Sequence, residues 1–153
     1  MVICVIKDIM SKNIIYCNVN SSIKEVSILM KDNNIGFIPI KDKDKFVGVI
    51  TDRDICLSLG NIKSINDCVR SFMTNSIICI DLNSSVDEAL NLMSKYKIKR
   101  LLVKEKDNII GILSLSDILN NCKCENILDT YRSIFYIHDN NINELPTIDE
   151  FYM

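Results

Sequence analysis

The chain has 153 residues, 48% hydrophobic and 25% charged, the balance of a soluble globular protein with room for one full core or two small units sharing one. Its formal net charge of −2 argues against non-specific nucleic-acid binding, which needs a basic surface to displace counterions. No apolar run approaches the roughly 20 residues that span a bilayer, so a cytoplasmic protein with neither nucleic acid nor membrane as partner is expected.

The first ten residues hold a short apolar stretch, Val2-Ile3-Cys4-Val5-Ile6, without the basic front or cleavage site of a signal peptide. An ordered N-terminal segment is expected there. From Met10 the chain then repeats itself: residues 10–55 match 73–118 without a gap, at a fixed offset of 63. Met10 pairs with Met73, Asn20-Ser21-Ser22 with Asn83-Ser84-Ser85, Glu25 with Glu88, Leu29-Met30 with Leu92-Met93, Gly48 with Gly111, and Asp54-Ile55 with Asp117-Ile118. Such a repeat is a duplicated supersecondary unit, and clefts between the copies become the first places to look for function.

Each copy reads as strand, helix, strand, turn, strand, helix. In copy one, residues 14–17 are β-prone, and Ser22-Ile23-Lys24-Glu25 fits a capping box opening a helix with Ile23, Val26, Leu29 and Met30 on one face. Copy two repeats this with Ser85-Val86-Asp87-Glu88, then Ala89, Leu92 and Met93. Phe37-Ile38-Pro39-Ile40 and Arg100-Leu101-Leu102-Val103 read as short buried strands, although Pro39 restricts the first to an edge or an end, and Leu102 in its place makes copy two less certain there. Polar turns at 41–44 and 104–107 lead to strands interrupted by Gly48 and Gly111. Such a glycine marks either a ligand or a close approach of neighbouring structure.

Residues 56–69 link the copies, with Gly60-Asn61 as a helix stop. Beyond the repeat, Ile127, Leu128, Tyr131, Ile134 and Phe135 fall at helical spacing. This tail either packs back on the domain or offers a helix to a protein partner. The divisions expected are 1–62, 63–122 and 123–153. The seven cysteines include one close pair, Cys122 and Cys124, and the lone His138 lies far from any second pair, so reduced structural thiols are expected rather than a metal site.

The sharpest chemical feature is Gly48-Val49-Ile50-Thr51-Asp52-Arg53-Asp54, matched by Gly111-Ile112-Leu113-Ser114-Leu115-Ser116-Asp117. In both, a strand ends in a hydroxyl residue and a helix starts, with aspartate three positions on. Backbone N–H groups at a helix start favour a phosphate, and a carboxylate can accept from both hydroxyls of a ribose. Plain N-capping also explains one occurrence; two shift the reading toward a nucleotide. No Ser/His/Asp or Cys/His constellation can be assembled, so no catalytic residue is assigned and the protein is expected not to be an enzyme.

These residues, with Asp8-Ile9-Met10, Ile35-Gly36-Phe37-Ile38-Pro39-Ile40 and Phe72-Met73-Thr74, resemble the tandem CBS (cystathionine β-synthase) domains, or Bateman module, over roughly residues 3–122. The resemblance implies an α+β fold: two β-α-β-β-α repeats packed with pseudo-twofold symmetry around two clefts that often bind adenosine compounds. It implies that Asp54 and Asp117 hold ribose, that Thr51 and Ser114 help with ribose or phosphate, and that Ile35, Ile38, Ile98 and Ile112 line the adenine slot. It also implies a homodimer and a regulatory adenosyl ligand, an adenine nucleotide (AMP, ADP or ATP) or S-adenosylmethionine, with no required cofactor. Lys99 and Arg100 replace Gly36 and Phe37 and match basic phosphate contacts of related modules, although Lys99 also suits a solvated surface; Arg53 and Ser116, which occupy equivalent slots, are further ligand-binding candidates. The clefts are therefore expected to differ, with the Ser114–Asp117 cleft the occupied one.

Overall fold

Two similar units make up the computed structural model, which describes residues 4–123 and 127–135. After a short helix α1 (Ile6–Ile9), copy one contains β1 (Cys17–Asn18), α2 (Ile23–Asn33), β2 (Phe37–Asp42), β3 (Lys45–Thr51) and α3 (Asp52–Ser58). Copy two contains β4 (Cys79–Asp81), α4 (Val86–Tyr96), β5 (Arg100–Glu105), β6 (Asn108–Ser114) and α5 (Leu115–Asn121), followed by α6 (Ile127–Phe135). Each copy forms a three-stranded sheet, ordered β1-β2-β3 and β4-β5-β6, with one parallel and one antiparallel pairing. The expected α+β architecture of two β-α-β-β-α repeats is present.

What joins the copies is an exchange of their lead-in segments. Ser11, ahead of copy one, exchanges two backbone hydrogen bonds with Ile112 of copy two, both 2.9 Å. Thr74, ahead of copy two, does the same with Val49 of copy one, at 2.8 and 2.9 Å. Two further bridges, Val5 with Ser85 and Cys68 with Ser22, repeat the exchange at the same offset. Ile6 is accordingly buried in the core of copy two, and Val69 in the core of copy one.

This exchange settles the role of the two strand glycines. A Cβ on Gly48 would lie 2.6 Å from the Thr74 carbonyl oxygen, and one on Gly111 would lie 2.7 Å from Met10 Sδ and 2.9 Å from the Ser11 carbonyl oxygen. Of the two readings the sequence leaves open, close backbone approach is the one observed.

Pro39 lies in the central strand β2, contrary to the edge or end expected, because β1 reaches only as far as Ile40 and Lys41. At the equivalent position, Leu102 donates its N–H to the Ile78 carbonyl at 3.2 Å. Proline has no such donor. The parallel pairing is therefore two residues long in copy one and three in copy two, so Leu102 strengthens the very strand whose entry the sequence leaves less certain. The β-prone stretch 14–17 yields strand only at Cys17 for the same reason.

Two further expectations need correction. The capping box at α2 is complete, but at α4 only the Ser85 hydroxyl is engaged, accepting from the Glu88 N–H, with no reciprocal bond. Not all the cysteines are reduced thiols: Cys4 and Cys122 are joined by a disulfide, with Cα atoms 5.8 Å apart. Cys17, Cys56, Cys68 and Cys79 are free, while Cys124 and His138 lie outside the described residues. Burial, helped by the Glu25 charge, pushes the Cys17 thiol up to about 11, so it stays protonated at neutral pH. Burial raises Cys79 as well, against an opposing pull from Lys104.

The described part of the tail, α6, packs back on copy two. Ile127 and Ile134 join its core, Thr130 is buried, and the Ser94 and Ser133 hydroxyls meet at 2.5 Å. Leu128, Tyr131 and Phe135 remain exposed.

Candidate functional site

Among the described residues, two clefts of about 450 and 210 Å³ open between the copies. All nine residues lining the smaller have their repeat equivalents lining the larger: Ser11 corresponds to Thr74, Asn13 to Ser76, Ile15 to Ile78, Ile35 to Ile98, Ile112 to Val49, Ser114 to Thr51 and Asp117 to Asp54. Phe37 and Arg100 are equivalent to one another and line both. They meet at the pseudo-twofold axis, with the Arg100 guanidinium 5.8 Å from the Phe37 ring centroid.

Each cleft is thus assembled from both copies. Thr51 and Asp54, at the start of α3, face Ile98, Lys99 and Arg100 of copy two. Ser114 and Asp117, at the start of α5, face Ile35 and Phe37 of copy one. Grouping by sequence places Lys99 and Arg100 with Ser114 and Asp117. In the fold, Lys99 lines only the larger cleft, and Arg100 is shared. The larger cleft is within the range of small-molecule sites, roughly 300–1,000 Å³, and the smaller is below it. By volume the Thr51–Asp54 cleft is the roomier of the two, whereas the sequence reading places the ligand in the Ser114–Asp117 cleft.

Two of the candidate residues lie in neither cleft. Ile38 is completely buried in the copy-one core, because alternation along β2 turns it to the face opposite Phe37. Ser116 is exposed on the outside of α5; its equivalent Arg53, with a far longer side chain, reaches the larger cleft. The cleft also contains Ser76, Tyr96 and Lys97, which the sequence does not flag, and Asp52 and Thr74, which belong to its motifs without an expected site role. Thr74 and Ser76 arrive through the lead-in exchange, which the repeat alone does not reveal.

At the helix start, the hydroxyl and carboxylate hold one another. Thr51 donates its N–H and its hydroxyl to Asp54 Oδ2, both at 2.8 Å, and the Asp54 N–H donates back to Thr51 Oγ1 at 3.1 Å. Ser114 and Asp117 repeat the arrangement at 2.8, 2.6 and 3.1 Å. The next two N–H groups of α3 are also taken, Asp52 by the Gly36 carbonyl at 3.2 Å and Arg53 by Asp52 Oδ1 at 2.8 Å. The N–H groups at this helix start, expected to be open to a phosphate, are therefore satisfied within the protein. What remains for a ligand is Asp54 Oδ1, an acceptor with no protein partner among the described residues, and the cationic side chains of Arg53, Lys97, Lys99 and Arg100. These four cations outnumber the two carboxylates, Asp52 and Asp54. Such a cleft attracts an anion that also carries hydroxyl donors.

Among the described residues, no cluster of histidine, cysteine or acidic side chains could hold a metal ion, and no helix is long and apolar enough to cross a membrane.

Comparison with known proteins agrees with this architecture. The family model for the CBS domain matches twice, at residues 6–61 and 69–123. The uncharacterized protein YlbB of Bacillus subtilis is 36% identical over 116 residues, covering 74% of this chain and 78% of that protein. The CBS domain-containing protein YhcV of the same organism is 31% identical, covering 76% and 84%. Among solved structures, the CBS domain pair of protein MJ0100, in complex with methylthioadenosine and S-adenosyl-L-methionine, superposes with a TM-score of 0.69 at 32% identity, covering 78% of this chain and 95% of that one. With two matches covering most of its length, the chain belongs to the CBS domain family, as a tandem pair.

Proposed function

We propose that the larger cleft is a regulatory site for an adenosine-containing ligand bearing phosphate, of the AMP, ADP or ATP type. The observation that carries this reading is the juxtaposition of Asp54 Oδ1, suited to ribose hydroxyls, with Ile98 and the four cationic side chains. The complex of the MJ0100 pair with two adenosyl compounds supports an adenosyl ligand, although those compounds lack phosphate. Among the described residues the lining includes neither histidine nor cysteine, and Asp54 keeps only Oδ1 free, which favours a ligand that is held over one that is transformed. Occupancy signals only if the ligand binds one arrangement of the copies more tightly than another. A homodimer through α3 and α5 accords with the exposed Leu57 and Leu119 on those helices.

Calorimetry with AMP, ADP, ATP and S-adenosylmethionine tests the reading. Hydrogen bonds to a charged group contribute about 1.5–3 kcal/mol, so Asp54→Ala should weaken the nucleotide about ten- to a hundredfold, while Asp117→Ala should leave it nearly unchanged. Absence of heat with every one of these compounds at millimolar concentration overturns it. A second reading, a ligand-free scaffold that docks a protein through its C-terminal segment, rests on the exposed Leu128 and Tyr131 of α6. It requires Leu128→Asp to abolish partner capture.

A further inference from the structure

We propose, building on the adenosyl reading, that α6 reads the larger cleft: a phosphorylated ligand and the docked end of α6 compete for the same two ammonium groups, Lys97 and Lys99. Both lysines line that cleft, and both are held by α6. Lys97 Nζ donates to the Ser133 carbonyl at 2.5 Å, and Lys99 Nζ lies 4.1 Å from the centroid of the Phe135 ring.

The chemistry of each contact suits exchange. Ser133 lies in the last described turn of α6, and its carbonyl offers Lys97 only a neutral acceptor. Phe135 offers Lys99 only the face of a ring. A phosphate offers both lysines charge-assisted bonds, which are shorter and stronger than those to a neutral carbonyl. Lys97 also holds a left-handed backbone conformation, φ 56°, at the position where copy one has Asn34 with φ 51°. Asparagine tolerates that region readily and lysine does not, so the backbone there is better suited to the residue that copy one uses.

Among the described residues, the smaller cleft has no such connection. Asn34 and Gly36 stand at the positions of Lys97 and Lys99, and α6 follows copy two alone. The remainder of α6 stays anchored through Ile127 and Thr130, so a ligand would loosen residues 132–135, against the hold of Ile134 and the Ser94–Ser133 contact, without detaching the helix. By linkage, whatever displaces that turn must raise the ligand's affinity by the same factor.

The test is amide hydrogen exchange on the full chain with saturating ATP and, separately, adenosine, together with calorimetry on wild type and Phe135→Ala. ATP should raise exchange in residues 132–135 by about tenfold, and adenosine should not. Phe135→Ala should bind ATP about fivefold more tightly and adenosine equally. If ATP binds but leaves α6 exchange unchanged, and Phe135→Ala leaves ATP affinity unchanged, the competition is refuted while the adenosyl reading stands. If neither ATP nor adenosine binds wild type, both fall together.

Discussion

The two clefts share nine equivalent positions and the same hydroxyl–aspartate helix start, yet one is about 450 Å³ with four cationic side chains and the other about 210 Å³ with one. The backbone plan is common to both, so the difference resides in a few side chains. Lys97, Lys99 and Arg53 stand at the positions of Asn34, Gly36 and Ser116, and each adds positive charge on one side of the pseudo-twofold axis only. Duplication supplies the frame; unequal substitution supplies the specificity.

The comparison breaks most severely if the frame itself is disturbed. Gly48→Ala places a methyl group 2.6 Å from the Thr74 carbonyl, where backbone must move, and should cost about 3 kcal/mol in urea denaturation. Gly111→Ala should cost somewhat less, about 2 kcal/mol, because its nearest obstacle is the flexible Met10 thioether before the Ser11 carbonyl. Gly60, where an added methyl would meet nothing within 4 Å, is the control. Equal stability of all three alanine variants would show that the exchanged lead-in segments do not hold the copies together.

A milder test equalises the sheets. Leu102→Pro removes the N–H that reaches Ile78 and trims a buried side chain, for a cost of about 2 kcal/mol. In native-state exchange it should shorten β4 toward the two-residue pairing of β1. An unchanged β4 would mean that Pro39 is not the cause of the asymmetry.

These variants also mark what could be read from the chain. The repeat, its strands and the two helix starts were legible because hydrophobic period, capping residues and glycines are local signals. The composition of each cleft was not, because it depends on which copy's β-strand lies across from which helix start. That crossing is decided by the pairing of Ser11 with Ile112 and of Thr74 with Val49, contacts between residues far apart in sequence that no local pattern specifies. The misplacement of Ile38 has another origin: a short apolar run such as Phe37-Ile38-Pro39-Ile40 does not announce which face turns to the core. The disulfide between Cys4 and Cys122 was hidden by its sequence separation of 118.

The smallest expected effect compares the two helix caps. Ser22 donates its N–H and hydroxyl to Glu25 Oε2 at 2.7 and 3.0 Å, and these bonds, the backbone one first, hold the Glu25 carboxyl below its ordinary value of 4.5. The unfolded chain therefore binds this proton more readily than the folded one. The stabilisation is present above about pH 4.5 and is lost as pH falls through the lower folded value. Glu25→Gln should flatten this part of the acid limb when urea midpoints are followed downward from neutral pH. Glu88→Gln, at a cap without the reciprocal bond, should keep it. If Glu25→Gln retains the wild-type acid slope, the complete box in copy one stabilises α2 no more than the half box stabilises α4.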